Sequence, residues 1–113
     1  LATNPVFPLM ATKKRIAWAG MSPEDFTHIT AYENSRFAKP SEGYYRQIAA
    51  DLGIDPEHCL MVGNDVGDDM VAADLGMKVF LLTDCLINKS GVDISRYSNG
   101  SFDELQKFLN QNI

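Results

Sequence analysis

The sequence is poor in features that would send it to a membrane, an oxidising compartment or nucleic acid. No run approaches the ~18 consecutive apolar residues of a transmembrane helix, and no basic segment leads into an apolar stretch and a cleavage site. Only two cysteines are present, Cys59 and Cys85, and their spacing matches neither a zinc motif nor a redox pair, so the reading is two reduced thiols in a cytoplasmic protein. Asn88-Lys89-Ser90 and Asn99-Gly100-Ser101 fit the glycosylation acceptor pattern, but without a secretory signal they read as polar loops. Basic residues are few, 10 Lys and Arg against 15 Asp and Glu, and scattered; with a net charge of −5 this disfavours nucleic acid and anionic membrane as partners. An anionic small substrate would need local cations. Repeats, low-complexity tracts and linkers are also missing. The 113 residues, 45% hydrophobic and 22% charged, suit one domain with one modest core.

What is present is concentrated between Cys59 and Asp84, in CLMVGNDVGDDMVAADLGMKVFLLTD. A short apolar run (Leu60 to Val62) leads into a turn carrying Asp65, Asp68 and Asp69, then a helical segment ending at Gly76, then a second apolar run (Lys78 to Leu82). Apolar runs bounded by Gly and Asp and separated by a helix predict a βαβ unit and a parallel sheet. The acids then lie at a strand's carboxyl end, the edge where open α/β sheets bind ligands. Carboxylates so close repel one another, and a hard divalent cation offsets that; Mg²⁺ takes one or two carboxylates and leaves room for a phosphate. The competing reading is a solvated helix N-terminus, where Asp suits the helix dipole.

Elsewhere the chain is read in order. Leu1 and Ala2 look like the end of a buried strand running into a turn, which predicts a piece of a longer chain. Thr3 and Asn4 offer a hydroxyl and an amide to a phosphate, or form an ST or Asx turn. Residues 9 to 18 predict a short amphipathic helix, with Lys13, Lys14 and Arg15 on a solvated face and Trp18 as a packing residue. Ser22-Pro23-Glu24-Asp25 predicts a brief helical start, and Phe26 to Tyr32 alternates like a strand, with His28 on its polar phase and without a catalytic role. Lys39, before Pro40 and the cap Ser41, projects from a loop at the start of a helix over 42 to 52 that stops at Gly53. It reads as an anion ligand or a surface lysine. Asp55-Pro56-Glu57 starts another short turn with His58 exposed. Residues 83 to 97 predict a long loop, and Ser101 with Glu104 forms a capping box for a closing helix carrying Phe102, Leu105, Phe108 and Leu109.

TN at a strand end, a lysine in KP before a helix, and GND with a second acid four residues on, in that order, resemble the haloacid dehalogenase (HAD) superfamily of aspartate-nucleophile phosphohydrolases. The resemblance covers essentially the whole chain. Thr3 matches the second motif, Lys39 the third, and Asp65 and Asp69 the fourth. It implies an α/β three-layer sandwich around a Rossmann-like parallel sheet. Residues 1–113 would be the C-terminal portion of the core domain, with the nucleophile strand and any sizeable cap upstream. It further implies that Thr3 hydrogen-bonds the transferring phosphoryl group, with Asn4 beside it, that Lys39 neutralises that group and holds the nucleophile, and that Asp65 and Asp69 hold Mg²⁺. Asn64 with Asp68 or Asp69 is the alternative register, since the family spaces these acids four or five apart. The Asp65 and Asp69 pair is preferred because a spacing of four puts both side chains on one face if the turn is already helical.

The departure from the family is the DxD motif that supplies the nucleophile. No such segment occurs in these residues, and Asp84, which follows an apolar run, lacks the converging base and cation that covalent catalysis needs. The expectation is a parent phosphomonoester hydrolase working through an aspartyl-phosphate on a small phosphorylated substrate, with these 113 residues inactive without the missing N-terminal segment. A non-catalytic HAD-like scaffold that keeps the metal or phosphate pocket is the alternative. A receiver-type phosphorylation switch fits poorly, because its acids precede its Thr and Lys.

Overall fold

In the computed structural model, which describes residues 1–112, the two expected apolar runs form β1 (Leu60–Gly63) and β2 (Lys78–Leu82). They pair in parallel, with Leu60 opposite Lys78 and Gly63 opposite Leu81. A third strand, β3 (Ser98–Gly100), pairs in parallel with β2, so the sheet order is β1-β2-β3. β3 corrects the reading of this stretch as a polar loop. Its sequence, Ser-Asn-Gly, has none of the β-branched or aromatic residues that mark strands, and main-chain bonding holds it: the Thr83 N–H donates to the Gly100 carbonyl at 2.9 Å.

Adjacent residues of β2 face opposite sides of the sheet. Leu81, wholly buried, packs with Val66 and Met70, and Val79, Val92, Ile94 and Tyr97 gather around that cluster. On the other face Phe80 meets Phe108 of α4 (Phe102–Asn112), with ring centroids 5.1 Å apart. The sheet is therefore covered on both faces, the three-layer α/β arrangement the sequence implied. Burying a side chain such as Leu81 contributes about 1.5–3 kcal/mol. The capping box forms as expected, with the Glu104 N–H on Ser101 Oγ at 3.2 Å and the Ser101 N–H on Glu104 Oε1 at 3.3 Å. Asp84 joins that helix start, accepting the Phe102 N–H at 2.9 Å.

The crossover from β1 to β2 is not the single helix expected. It is one turn of α-helix, α3 (Val66–Asp69), followed by 3-10 helix over Met70–Leu75 and a left-handed Gly76 at φ 91°. A 3-10 helix rises about 2.0 Å per residue against 1.5 Å for an α-helix, so the return to β2 takes fewer residues.

These elements make up one compact unit, from Asp55 onward; Leu1–Ile54 make up another. In the latter, α1 (Leu9–Trp18) and α2 (Glu42–Leu52) fall where the periodicity placed them. α2 is capped by Ser41, whose side chain accepts the Gly43 N–H, and ends on Gly53 in the left-handed region. α1 has no local cap because Pro8 precedes it; Glu33 supplies one from afar, both carboxylate oxygens accepting the Leu9 N–H at 2.9 and 3.0 Å.

Three expectations fail in this unit. Trp18 is 80% exposed and packs into nothing, because α1 buries only Thr12 and Ile16. Phe26 to Tyr32 forms no strand. The Leu1 amine donates to the His28 carbonyl and the Thr30 N–H to the Leu1 carbonyl, but Asn34 then diverts the chain, its amide taking the Ile29 carbonyl and the Ala31 N–H. Local side-chain bonds replace the ladder, and Tyr32–Asn34 turn as 3-10 helix. Leu1 and Ala2, expected as a strand end, are likewise irregular backbone.

Candidate active site

In the Asp55-onward unit, the acid turn begins where β1 ends. Gly63 is required there, because a Cβ at this position would lie 2.3 Å from Asp69 Oδ2. That closeness lets the buried Asp69 carboxylate fold under the turn, where Oδ2 accepts the main-chain N–H groups of Asn64 and Asp65, both at 3.0 Å. Asp65 is the N-cap of α3, its Oδ1 accepting the Gly67 and Asp68 N–H groups at 2.9 and 3.1 Å. Asn64 Nδ2 donates to the Cys85 carbonyl at 2.8 Å, tying the turn to the loop after β2.

The basis for preferring Asp65 with Asp69 is altered by this geometry. Asp65 is extended (φ −107°, ψ 115°) and precedes the helix, so the two acids do not share a face of one helical turn. They meet because the carboxylate of one receives the main chain of the other. Asn64, Asp65, Asp68 and Asp69 follow one another at a strand's carboxyl end and offer the amide and carboxylate oxygens that a hard divalent cation takes, and the cap uses one of Asp65's two oxygens. Three carboxylates do not converge on a point in this turn. Among the described residues, the trio of His, Cys, Asp or Glu with all ligand atoms within 4.8 Å is Asp55, Glu57 and His58, all exposed.

In the Leu1–Ile54 unit, Thr3, Asn4 and Lys39 are brought together. Asn4 Oδ1 accepts the Lys39 N–H at 3.2 Å, so this amide is committed to the lysine's loop. The Thr3 carbonyl accepts the Tyr44 hydroxyl at 2.7 Å and the Thr30 hydroxyl at 2.5 Å. Lys39, half-buried, carries its Nζ 5.8 Å from the centre of the Tyr44 ring. Thr3 also lines a cavity of about 230 Å³ with Leu1, Thr12, Arg15, Ile16 and Phe26. Sequence reasoning missed Tyr44, Thr30 and the contact of Gly63 with Asp69. The one available signal was the paired tyrosines in the first turn of the helix after Lys39. His28 and Asp84 take no part: His28 Nε2 lies 3.9 Å from Asp51, and Asp84 caps α4.

Comparison with known proteins bears on both units. A family model described as HAD-hydrolase-like matches residues 36–84, a stretch holding Lys39 and the whole acid turn. No curated protein matches in sequence. An uncharacterized protein from Listeria monocytogenes serotype 4b superposes with a TM-score of 0.69 over 90% of this chain at 17% identity. A p-nitrophenyl phosphatase from Archaeoglobus fulgidus gives a TM-score of 0.48 over 89% of this chain at 20% identity. This chain spans 65% of the first and 38% of the second. The sequence match from Lys39 through the acid turn agrees with the resemblance drawn from the motifs, and the Listeria protein shares the fold.

Proposed function

We propose that this chain supplies the phosphoryl-binding and cation-binding parts of a Mg²⁺-dependent phosphomonoester hydrolase whose attacking aspartate lies outside these 113 residues. The observation that carries the reading is that two distant segments are tied at these residues: Asn4 Oδ1 accepts the Lys39 main-chain N–H, and Tyr44, five residues after Lys39, donates its hydroxyl to the Thr3 carbonyl. Lys39 offers a positive charge to the phosphoryl oxygens, and Thr3 offers a hydroxyl donor. Asp65 and Asp69, or Asn64 and Asp68, would hold the cation, which when bound screens the phosphate dianion. Main-chain N–H groups fix both Asp65 and Asp69, so their oxygens are set before a ligand arrives, which is the preorganisation charge stabilisation needs.

The test is turnover of a generic phosphomonoester by the full-length protein containing this chain, with and without Mg²⁺. Turnover that depends on the cation supports the proposal. Binding of phosphate and Mg²⁺ without turnover would replace it with the scaffold reading.

A further inference from the structure

Tyr44 touches both candidate phosphoryl ligands. Its hydroxyl donates to the Thr3 carbonyl at 2.7 Å and lies 3.0 Å from Thr30 Oγ1, which itself contacts the same carbonyl at 2.5 Å. Both hydroxyls converge on the main-chain oxygen of Thr3, and Thr30 Oγ1 also lies 3.5 Å from the Leu1 carbonyl. Tyr44 is 1% exposed and Thr30 2%, so water cannot stand in for either hydroxyl without opening the unit. The face of the same tyrosine ring lies near the Lys39 ammonium, 5.8 Å from Nζ to centroid, within range of a cation–π contact. The ring itself is held. Its residue is in the first turn of α2, with its N–H on the Ser41 carbonyl at 3.1 Å, and Tyr45 packs edge-on against it at 4.9 Å.

On the hydrolase reading above, we infer that Tyr44 is a positioning residue that couples Thr3 to Lys39. The hydroxyl fixes the backbone of Thr3, and therefore where the Thr3 side chain starts. The ring narrows the arc swept by the flexible lysine stem, lowering the entropy lost when the ammonium engages an anion. One rigid side chain thereby sets the distance between donor and cation. The family match includes Tyr44 but assigns it no role.

The test uses the full-length protein with Tyr44→Phe, Tyr44→Leu and Thr30→Val. Two readouts are followed: kcat and KM on a generic phosphomonoester, and the pH dependence of Lys39 acylation by peptide mass spectrometry. Tyr44→Phe keeps the ring and loses the hydroxyl, so kcat should fall about 10- to 100-fold with KM unchanged, while the Lys39 profile overlays wild type. Tyr44→Leu removes the ring as well, and Lys39 should acylate about two- to five-fold faster near neutral pH, because the ammonium loses its aromatic partner. If Tyr44→Leu fails to fold, Thr30→Val decides the hydroxyl half: a lowered kcat with an unchanged Lys39 profile supports the coupling, and wild-type kcat overturns it. Variants that lose thermal stability but keep wild-type kcat and Lys39 profile would reduce Tyr44 to packing and overturn the inference. Should the wild-type protein lack phosphomonoester turnover, the hydrolase reading fails by itself. The Lys39 profile of Tyr44→Leu then still decides the ring half, a shift supporting it and no shift overturning it.

Discussion

The two units hold their candidate residues by opposite means. In the acid turn main-chain groups nearby in sequence set the acids: Asp69 takes N–H groups four and five residues back, and Asp65 takes those two and three residues ahead, while Asn64 reaches on to the Cys85 carbonyl. Around Thr3 and Lys39 the contacts are remote, with partners separated by 27, 35 and 41 residues. The wider Leu1–Ile54 unit follows the same habit. Glu33 caps α1, Asn34 spans the Ile29 to Ala31 bend, and Gln47 holds both the Arg36 N–H and the Asn34 carbonyl. A parallel sheet satisfies its backbone by ladder, so side chains there are spared for caps and ligands. A unit without a ladder must use side chains for that purpose. Its geometry then rests on a few buried hydroxyls and amides.

The contrast can be broken most sharply at Lys39. On the proposed hydrolase reading, if remote ties exist to aim this side chain, Lys39→Met in the full-length protein should abolish turnover while changing unfolding free energy by no more than about 1 kcal/mol. Lys39→Arg should recover little activity, since a planar fork is not a point charge. A strongly destabilised Lys39→Met with normal activity would make the lysine part of the scaffold. The local arrangement is tested next by Gly63→Ala. The new Cβ must expel the Asp69 carboxylate from under the turn, stranding two N–H groups, and denaturant unfolding should register a loss of about 3 kcal/mol. Gly67→Ala is the matched control: its Cβ would meet Asp65 Oδ1 at an ordinary 3.5 Å and should cost far less.

A smaller effect separates cap from cation ligand. Asparagine caps a helix about as well as aspartate, so Asp65→Asn should fold normally and still weaken the Mg²⁺ dependence of turnover, as should Asp69→Asn. Asp74→Asn, on the exposed part of the crossover, should leave the metal titration unmoved. Equal titrations for all three would remove the assignment. The smallest effect is at Asp93, where hydrogen bonds from the Ser95 side chain and main chain hold the carboxyl below the usual Asp range. A depressed folded-state value means stability present above the unfolded Asp range and lost as pH falls through the folded one. In Ser95→Ala the Asp93 titration followed by NMR should move back up toward the ordinary value, and the acid limb of the stability curve should flatten slightly.

The same division explains what the sequence made legible. Local rules cover β1, β2, α1, α2, α4, the Ser101 capping box and the clustering of acids after Gly63, because each is decided within a few residues. Lys39 was visible through its proline and the helix that follows. Tyr44 was not, because nothing near it in the chain shows that its hydroxyl ends on Thr3. Phe26 to Tyr32 has strand-like residues, yet one amide at Asn34 outweighs them. β3 fails in the other direction, three residues with no strand propensity recruited by the edge of β2.

The exposure of Trp18 has a practical side. It is the single tryptophan of the chain and lies 80% exposed on α1, so its emission already comes from a water-facing indole in the native state. Unfolding should change that emission little, and fluorescence will understate cooperativity that circular dichroism or calorimetry detects. Anything that settles on α1 should shift it to the blue. The most exposed of the chain's large apolar side chains is therefore a built-in optical reporter of contact at this helix, requiring no label.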